Sequence, residues 1–195
     1  MGITMTTDEH KSRTARSYKL ILLFAMVSMT MMFAGLTSAF VVSKSRADWL
    51  KDFQLPTAFY FSTAAIIGCS ITFHLAKKAI QKDNQKVTTL FLLSTLALGI
   101  LFVILQFVGF GQIVSSGYYF TGSESSITTT FLYIVTVVHL AHLAGGLISL
   151  LIIIYNDFKQ KYNSTQTLGI ELGAMYWHFL DFLWVYLFLF LYFFK

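Results

Sequence analysis

Three ionisable side chains lie inside the last apolar segment of the chain: Glu171, His178 and Asp181. Asp181 follows Ile170 by eleven residues and precedes Phe194 by thirteen. Since a helix that crosses a bilayer needs ~20 residues, this carboxylate is expected near the midplane, where insertion costs ~2.5–3.5 kcal/mol. At ~100° per residue, the three side chains project from one side of a helix. That side is therefore predicted to pack against another helix.

A second group of candidate ligands lies in the preceding apolar segment. His139 and His142 are three residues apart and share one helix face. With His178 and with Glu171 or Asp181, they are plausible ligands for zinc or non-haem iron. The other interpretation is an interhelical hydrogen-bond network without a metal, because polar side chains inside membranes bond across helices. In that network, Asp181 is expected to bond to a histidine of the fourth helix.

The composition assigns these residues to a membrane protein. The chain is 56% hydrophobic and 12% charged, whereas soluble domains are about 25% charged. The predicted fold class is all-α, a polytopic bundle of five transmembrane helices. The predicted spans are residues 20–42, 56–76, 87–114, 127–155 and 170–194.

The organisation along the chain is predicted to be simple. Residues 1–17 are expected to form a polar cytoplasmic tail and residues 18–195 a single five-helix transmembrane domain. The first apolar run exceeds the ~7–15 residues of a signal-peptide core, so it is interpreted as a retained helix. Pro56 suits the first turn of the second helix. Cys69 is the only cysteine, which excludes an intrachain disulfide and a cysteine-based metal cluster.

The distribution of basic residues predicts the orientation. Ten lysines and arginines lie in the tail and in the second and fourth loops, and four lie on the other side. By the positive-inside rule, the N-terminus is expected in the cytoplasm and the C-terminus on the opposite side. The net charge of +5 is attributed to this bias and to anionic lipid headgroups, so no nucleic-acid partner is predicted.

The last two segments carry motifs that together resemble a known family. The final segment has Tyr176-Trp177-His178-Phe179, then Asp181 and Trp184, with Glu171 before them; the preceding one has Phe131, then His139-Leu-Ala-His142-Leu-Ala-Gly145-Gly146. In order and spacing, these motifs resemble the last two helices of subunit III of haem–copper oxidases. The resemblance runs from about Tyr18 to the C-terminus and is to the short five-helix bacterial form of cytochrome c oxidase subunit III.

This resemblance implies an accessory subunit, multi-pass in the bacterial inner (plasma) membrane, of a terminal oxidase that reduces oxygen to water and pumps protons. The family's subunit III carries neither haem nor copper, so these centres are expected in its partners, subunits I and II. No catalytic or metal-ligating residue and no cofactor is then expected here, apart from bound phospholipid. The chain would support the stability, lipid retention and proton uptake of the catalytic subunit.

The residues expected to serve that role fall into two groups. A structural polar network is predicted from His139, His142, His178, Asp181 and Glu171. Lipid or packing contacts are predicted for Trp177, Trp184, Tyr176, Gly35 and Gly146. Gly35 is interpreted as a point of close packing between helices.

Two positions depart from the family pattern. The family commonly has a buried glutamate six residues before the glycine that corresponds to Gly35, and here that position is Met29. The family often has Gln-x-x-Glu-Tyr, and here Gln106 is followed by Gly109 and Phe110. Both departures argue against a proton-handling role at these two positions, where the family has a carboxylate. Neither departure argues against the predicted fold.

Three other functions remain open from the sequence. The chain is also compatible with a subunit III-like protein of a nitric oxide reductase. A stand-alone metal- or haem-binding membrane enzyme would use the three histidines. A small transporter would usually show repeats and broken helices, which the sequence lacks. The electron donor, cytochrome c or a quinol, and membership of a larger respiratory supercomplex are left open.

Overall fold

The fold is described by a computed structural model for residues 7–46, 49–50, 54–120, 126–164 and 166–194. Within these ranges there are five long helices: α1 (Thr7–Val42), α2 (Thr57–Ile80), α3 (Gln85–Ser115), α4 (Ile127–Phe158) and α5 (Leu168–Phe194). A single 3₁₀ turn, Ser43–Ser45, follows α1. Each long helix has the length and apolar composition needed to cross a membrane. The all-α class is thus confirmed. The first six residues of the predicted tail, and Lys51 and Lys195, which entered the charge count, lie outside the described ranges.

Helix α1 begins earlier than predicted because its polar start is also helical. The apolar run begins at residue 20, but the helix begins at Thr7, so residues 7–17 of the predicted tail continue it. The Ser17 hydroxyl donates to the carbonyl oxygen of Arg13 at 3.1 Å. Such bonds to the preceding turn let a serine remain inside a helix.

The other helix ends follow local chemistry more closely than hydropathy. Pro56 is the residue before α2 rather than its first helical residue. Helix α2 extends to Ile80, four residues past the predicted end, with Lys77 and Lys78 in its last turn, where positive charge is favourable. Helix α4 begins after Ser126, whose side chain forms a capping box.

The packing places α5 in the middle of the bundle. The short connection 81–84 makes α2 and α3 antiparallel neighbours, and these two pack along each other. Helix α5 packs against α1, α2 and α4, and α3 also packs against α4. The helix that a polar residue of α5 contacts therefore depends on the angular position of that residue around α5.

The core of the bundle is built around two fully buried tryptophans of α5, Trp177 and Trp184. Small residues let neighbouring helices approach them. A Cβ at Gly99 would lie 3.1 Å from Trp177 Cη2, and a Cβ at Gly146 would lie 3.0 Å from Leu180 Cδ1. Such close approaches at glycine are a common way for helices to pack in membranes.

Candidate functional site: polar side chains of the bundle

Glu171 joins α5 to α1 at one end of the bundle. Its carboxylate accepts hydrogen bonds from Lys19 Nζ and Thr167 Oγ1, each at 2.7 Å. The Lys19 and Glu171 side chains are 41% and 25% exposed. Ion pairs of this accessibility contribute about 0–1 kcal/mol, so the pair orients the start of α5 against α1 rather than holding the bundle together.

His178 contacts α2, where its Nδ1 lies 2.7 Å from Ser70 Oγ. The His74 ring, one turn further along α2, has its centroid 6.3 Å from the His178 centroid. We call the space lined by Ser70, Ile71, His74, Leu75 and His178 the α2–α5 notch; its volume is about 290 Å³. The notch opens on the outer surface of the bundle, since His74, Ile71 and Leu75 are exposed.

Asp181 lies one turn after His178 and is only 4% exposed. Among the described residues, neither of its carboxylate oxygens has a hydrogen-bond partner. Ser70 is a polar side chain near enough to interact with it, but its hydroxyl is engaged with His178. Within the described chain, the expected bond from Asp181 to a histidine of α4 is not formed, because this side of α5 faces α2.

His139 is fully buried among aromatic rings. Its ring centroid lies 5.1 Å from that of Trp184, 6.0 Å from Phe102 and 6.4 Å from Phe33. Both ring nitrogens lack a hydrogen-bond partner in the described part of the chain. His139 therefore acts as a packing group between α1, α3 and α5 rather than as a member of a bonded network.

His142 is half-buried and bonded within its own helix. Its Nδ1 lies 2.8 Å from the carbonyl oxygen of Val138, and its ring packs against Phe33 at 5.9 Å. The Tyr176 hydroxyl donates to the carbonyl oxygen of His142 at 3.0 Å. This last bond is a direct polar link between α4 and α5, and it uses a backbone group rather than the imidazole.

The five residues predicted as one polar network thus fall into separate contacts. Glu171 faces α1, His178 faces α2, and Asp181 has no hydrogen-bond partner among the described residues, although all three project from one broad side of α5. The reason is that α5 is surrounded by three helices, so a modest difference in angle changes the neighbour. Throughout the described ranges, no group of three or more His, Cys, Asp or Glu side chains is placed to hold a metal ion.

The residues predicted to make packing contacts also differ in what they contact. Trp184 is buried and donates from Nε1 to Thr63 Oγ1 at 3.0 Å, and Gly146 lies against Leu180. Gly35 is different, because a Cβ there would meet no atom within 4 Å. Within the described chain Gly35 packs closely against no other helix, since it lies on the exposed side of α1.

One buried polar site was missed by sequence reasoning. Asp157 is fully buried near the end of α4, and its carboxylate accepts bonds from Thr89 Oγ1 at 2.5 Å and from Gln85 Nε2 at 3.3 Å. The predicted span stopped at residue 155 and left Asp157 in a loop. The buried positions Leu150 and Ile153 continue at helical spacing to Asp157, and that periodicity was the available signal.

The positions of the two absent family glutamates have different surroundings. Met29 is half-buried on α1. A Cβ at Gly109 would overlap the ring of Phe59, which is fully buried. Next to it, Gln106 Nε2 donates to Ser62 Oγ at 2.9 Å. An aromatic ring from α2 thus occupies the space into which a larger residue at position 109 would project.

A large apolar cavity of about 820 Å³ lies between α1, α4 and α5. Its walls include Ile21 and Leu22 of α1, Ile152 of α4 and Leu172 of α5. Tyr162, in the connection between α4 and α5, lies at its edge, and burial raises the pKa of this hydroxyl. The cavity is therefore apolar along its walls and has a neutral phenolic hydrogen-bond donor at one end.

Comparison with known proteins assigns this bundle to a family. The sequence pattern of the family "Cytochrome c oxidase subunit III" matches residues 3–195. "Cytochrome c oxidase subunit 3" of Drosophila yakuba is 30% identical over 140 residues, which are 72% of this chain. The chain spans about half (50%) of the length of that protein. The protein of the same name from Thermostichus vulcanus is 26% identical over 88% of this chain and 84% of its own length. "Probable cytochrome c oxidase subunit 3" of Nocardia farcinica is 26% identical over 98% of this chain and 95% of its own length. The chain therefore belongs to the cytochrome c oxidase subunit III family, in a five-helix form.

Proposed function

We propose that this chain is an accessory integral-membrane subunit of a bacterial haem–copper terminal oxidase. The observation that carries the proposal is the family match over residues 3–195, together with bacterial relatives that align over most of their own length. The complex would reduce oxygen to water and pump protons. Haem and copper would be held by the partner subunits I and II.

The arrangement of the histidines supports an accessory role. A metal or haem enzyme built on His139, His142 and His178 would need their ring nitrogens to converge on one point. Instead, His139 packs among aromatic rings, His142 bonds to its own helix and His178 bonds to α2. The chain would act through the catalytic subunit that it flanks, by supporting its stability and its proton uptake.

A phospholipid is the ligand that we propose for the apolar cavity between α1, α4 and α5. The cavity volume of about 820 Å³ is within the range of ligand sites in proteins, and its walls suit acyl chains. The hydroxyl of Tyr162 at its edge and the ammonium of Lys19 nearby on α1 offer hydrogen bonds to a headgroup. The Lys19–Glu171 pair joins α1 to α5, two of the helices that form the cavity.

Affinity purification in a mild detergent tests the proposed function. A tagged chain is expected to co-purify with larger subunits that give a haem Soret band and contain copper, and the preparation is expected to consume oxygen. The chain freed from those subunits is expected to give no Soret band. A chain that purifies alone with one haem or one transition metal would contradict the proposal. Co-purification with a nitric oxide reductase would keep the family but change the reaction.

A further inference from the structure

The α2–α5 notch presents polar side chains at a depth where the bundle surface should be apolar. Helix α2 has 24 residues and is about 36 Å long at 1.5 Å per residue, while the hydrocarbon layer is ~30 Å thick. His74 lies six residues, or about 9 Å, from the end of α2. His178 lies ten residues, or about 15 Å, from the start of α5. Both imidazoles are therefore inside the hydrocarbon layer when the helices span it.

The two imidazoles have unused hydrogen-bonding capacity. His178 bonds to Ser70 through Nδ1, which leaves Nε2 available. His74 is exposed and makes no hydrogen bond to any described residue. Lipid chains offer no acceptor, and ionisable residues in membrane spans almost always face protein or a water-filled space.

Exposed positions on α1 and α3 include large apolar side chains, in contrast to the imidazoles of the notch. On α3, Ile104 is 53% and Phe107 is 63% exposed, and on α1, Phe24 is 71% exposed. These apolar side chains suit direct contact with lipid. The α2–α5 notch is a polar interruption in such a surface, and its cavity of about 290 Å³ has room for a side chain from outside.

We infer that the α2–α5 notch is a docking site for a transmembrane helix of another oxidase subunit, which inserts an aspartate or glutamate carboxylate between His74 and His178. This inference rests on the proposed function and names the surface and the partner chemistry that it requires. Both imidazoles can act as donors, and Lys77, one turn after His74, lies within electrostatic range of His178. A carboxylate only accepts hydrogen bonds, and its bonds to such donors are short and strong. Asp181 does not satisfy them, because its carboxylate is buried and makes no hydrogen bond to either imidazole or to any other described residue.

Photo-crosslinking in the intact complex tests the surface. A photoreactive residue replaces Ile71, which is 57% exposed in the notch wall, and in a matched preparation replaces Ile104 on α3, which is 53% exposed. The probe at position 71 is expected to give a protein adduct whose partner peptide is an apolar segment that contains Asp or Glu. The probe at position 104 is expected to give lipid adducts. Lipid adducts alone from position 71, or a partner peptide without a carboxylate, would overturn the inference.

Substitution of the histidines tests the chemistry. His74→Leu leaves the Ser70–His178 bond in place and is expected to weaken retention of the partner subunit about tenfold as detergent is increased, the effect of losing one charge-assisted hydrogen bond. His178→Gln keeps a polar side chain of similar length and is expected to weaken it less. Retention equal to that of the wild type in both variants would overturn the inference.

The controls separate this inference from the function on which it rests. A wild-type chain that purifies without any haem-containing subunit would contradict the proposed function and the inference together. A wild-type complex that is intact, in which position 71 meets only lipid, would contradict the inference alone.

Discussion

Gly109 shows, at the scale of one residue, how this chain accommodates the loss of a family carboxylate. A Cβ at this position would lie 2.7 Å from Phe59 Cδ1, closer than carbon atoms normally approach. Phe59 is fully buried and packs edge-on against Trp184, with ring centroids 5.8 Å apart. The glycine is therefore needed for the approach of α2 to α3.

Replacing Gly109 with alanine is expected to destabilise the protein. The added methyl group displaces Phe59, and overpacking of this kind typically costs about 1–3 kcal/mol, which offsets the gain in helix propensity of about 1 kcal/mol. Gly111→Ala is the matched control, because its Cβ would meet no atom within 4 Å. Thermal unfolding of the purified chain in detergent should show a lower midpoint for Gly109→Ala and an equal or higher one for Gly111→Ala. Equal shifts in both variants would show that Phe59 moves freely.

Asp181 and Asp157 give opposite expectations for the same substitution. Asp181 has two buried oxygens without a described partner, so Asp181→Leu removes a desolvated polar group and is expected to keep or raise thermal stability. Asp157→Leu leaves the Thr89 hydroxyl and the Gln85 amide without their acceptor. It is expected to lower the free energy of unfolding by about 1–3 kcal/mol or more. The measurement is the unfolding midpoint of the two variants side by side. A loss at Asp181 as large as that at Asp157 would contradict this expectation and show that the Asp181 carboxylate contributes to the stability of the chain.

At the scale of helices, α1 is the element whose position determines the large apolar cavity. It contacts α4 and α5 at the edge of the bundle and is the least buried of the candidate spans. Ala25 contributes a small side chain to the cavity wall. A larger side chain on α1 that fills the cavity therefore tests whether a lipid occupies it.

Ala25→Trp is expected to reduce the phospholipid that co-purifies with the complex, because the indole occupies the space proposed for acyl chains. Ala34→Trp is the control, since Ala34 is an exposed alanine of the same helix and does not line the cavity. Phosphorus analysis or native mass spectrometry after matched detergent washing measures the bound lipid. An unchanged lipid content in Ala25→Trp would exclude this cavity as the lipid site.

At the scale of the whole molecule, the distribution of charge predicts the orientation in the membrane. The turn after α2 and the turn after α4 carry Lys82 and Lys159, whereas the turn after α3 contains Ser116 and Gly117 without a cation. By the positive-inside rule, the first two turns are expected in the cytoplasm. Because α2, α3 and α4 alternate in direction, the turn after α3 should face the opposite side.

Cysteine labelling checks this orientation. Cys69 is the only cysteine and is buried, so the wild type is expected to react weakly with a membrane-impermeant maleimide. Ser116→Cys is expected to label in intact cells, and Lys82→Cys only after the membrane is opened, since both positions are exposed. Labelling of Lys82→Cys in intact cells, with protection of Ser116→Cys, would reverse the proposed orientation.

The sequence by itself determined the elements and their order. A backbone in lipid must satisfy its own polar groups, so five long apolar runs predict five helices, and short connections predict antiparallel neighbours. Hydropathy located the ends less well, because helices such as α1 and α4 continue beyond their apolar runs, and capping and side-chain hydrogen bonds determine where they end. The paired motifs around His139 and His178 also predicted the family that the comparison confirmed.

Only the tertiary structure decided which polar residues meet. The rotation of α5 about its axis, fixed by the burial of Trp177 against glycines of α3 and α4 and of Trp184 among aromatic rings, turns His178 towards α2 instead of α4. The same packing leaves Asp181 without a hydrogen-bond partner among the described residues. Periodicity states which residues share a face, but the neighbour of that face depends on contacts between segments far apart in the chain. That physical difference is why the helices were predictable from the sequence and the polar contacts were not.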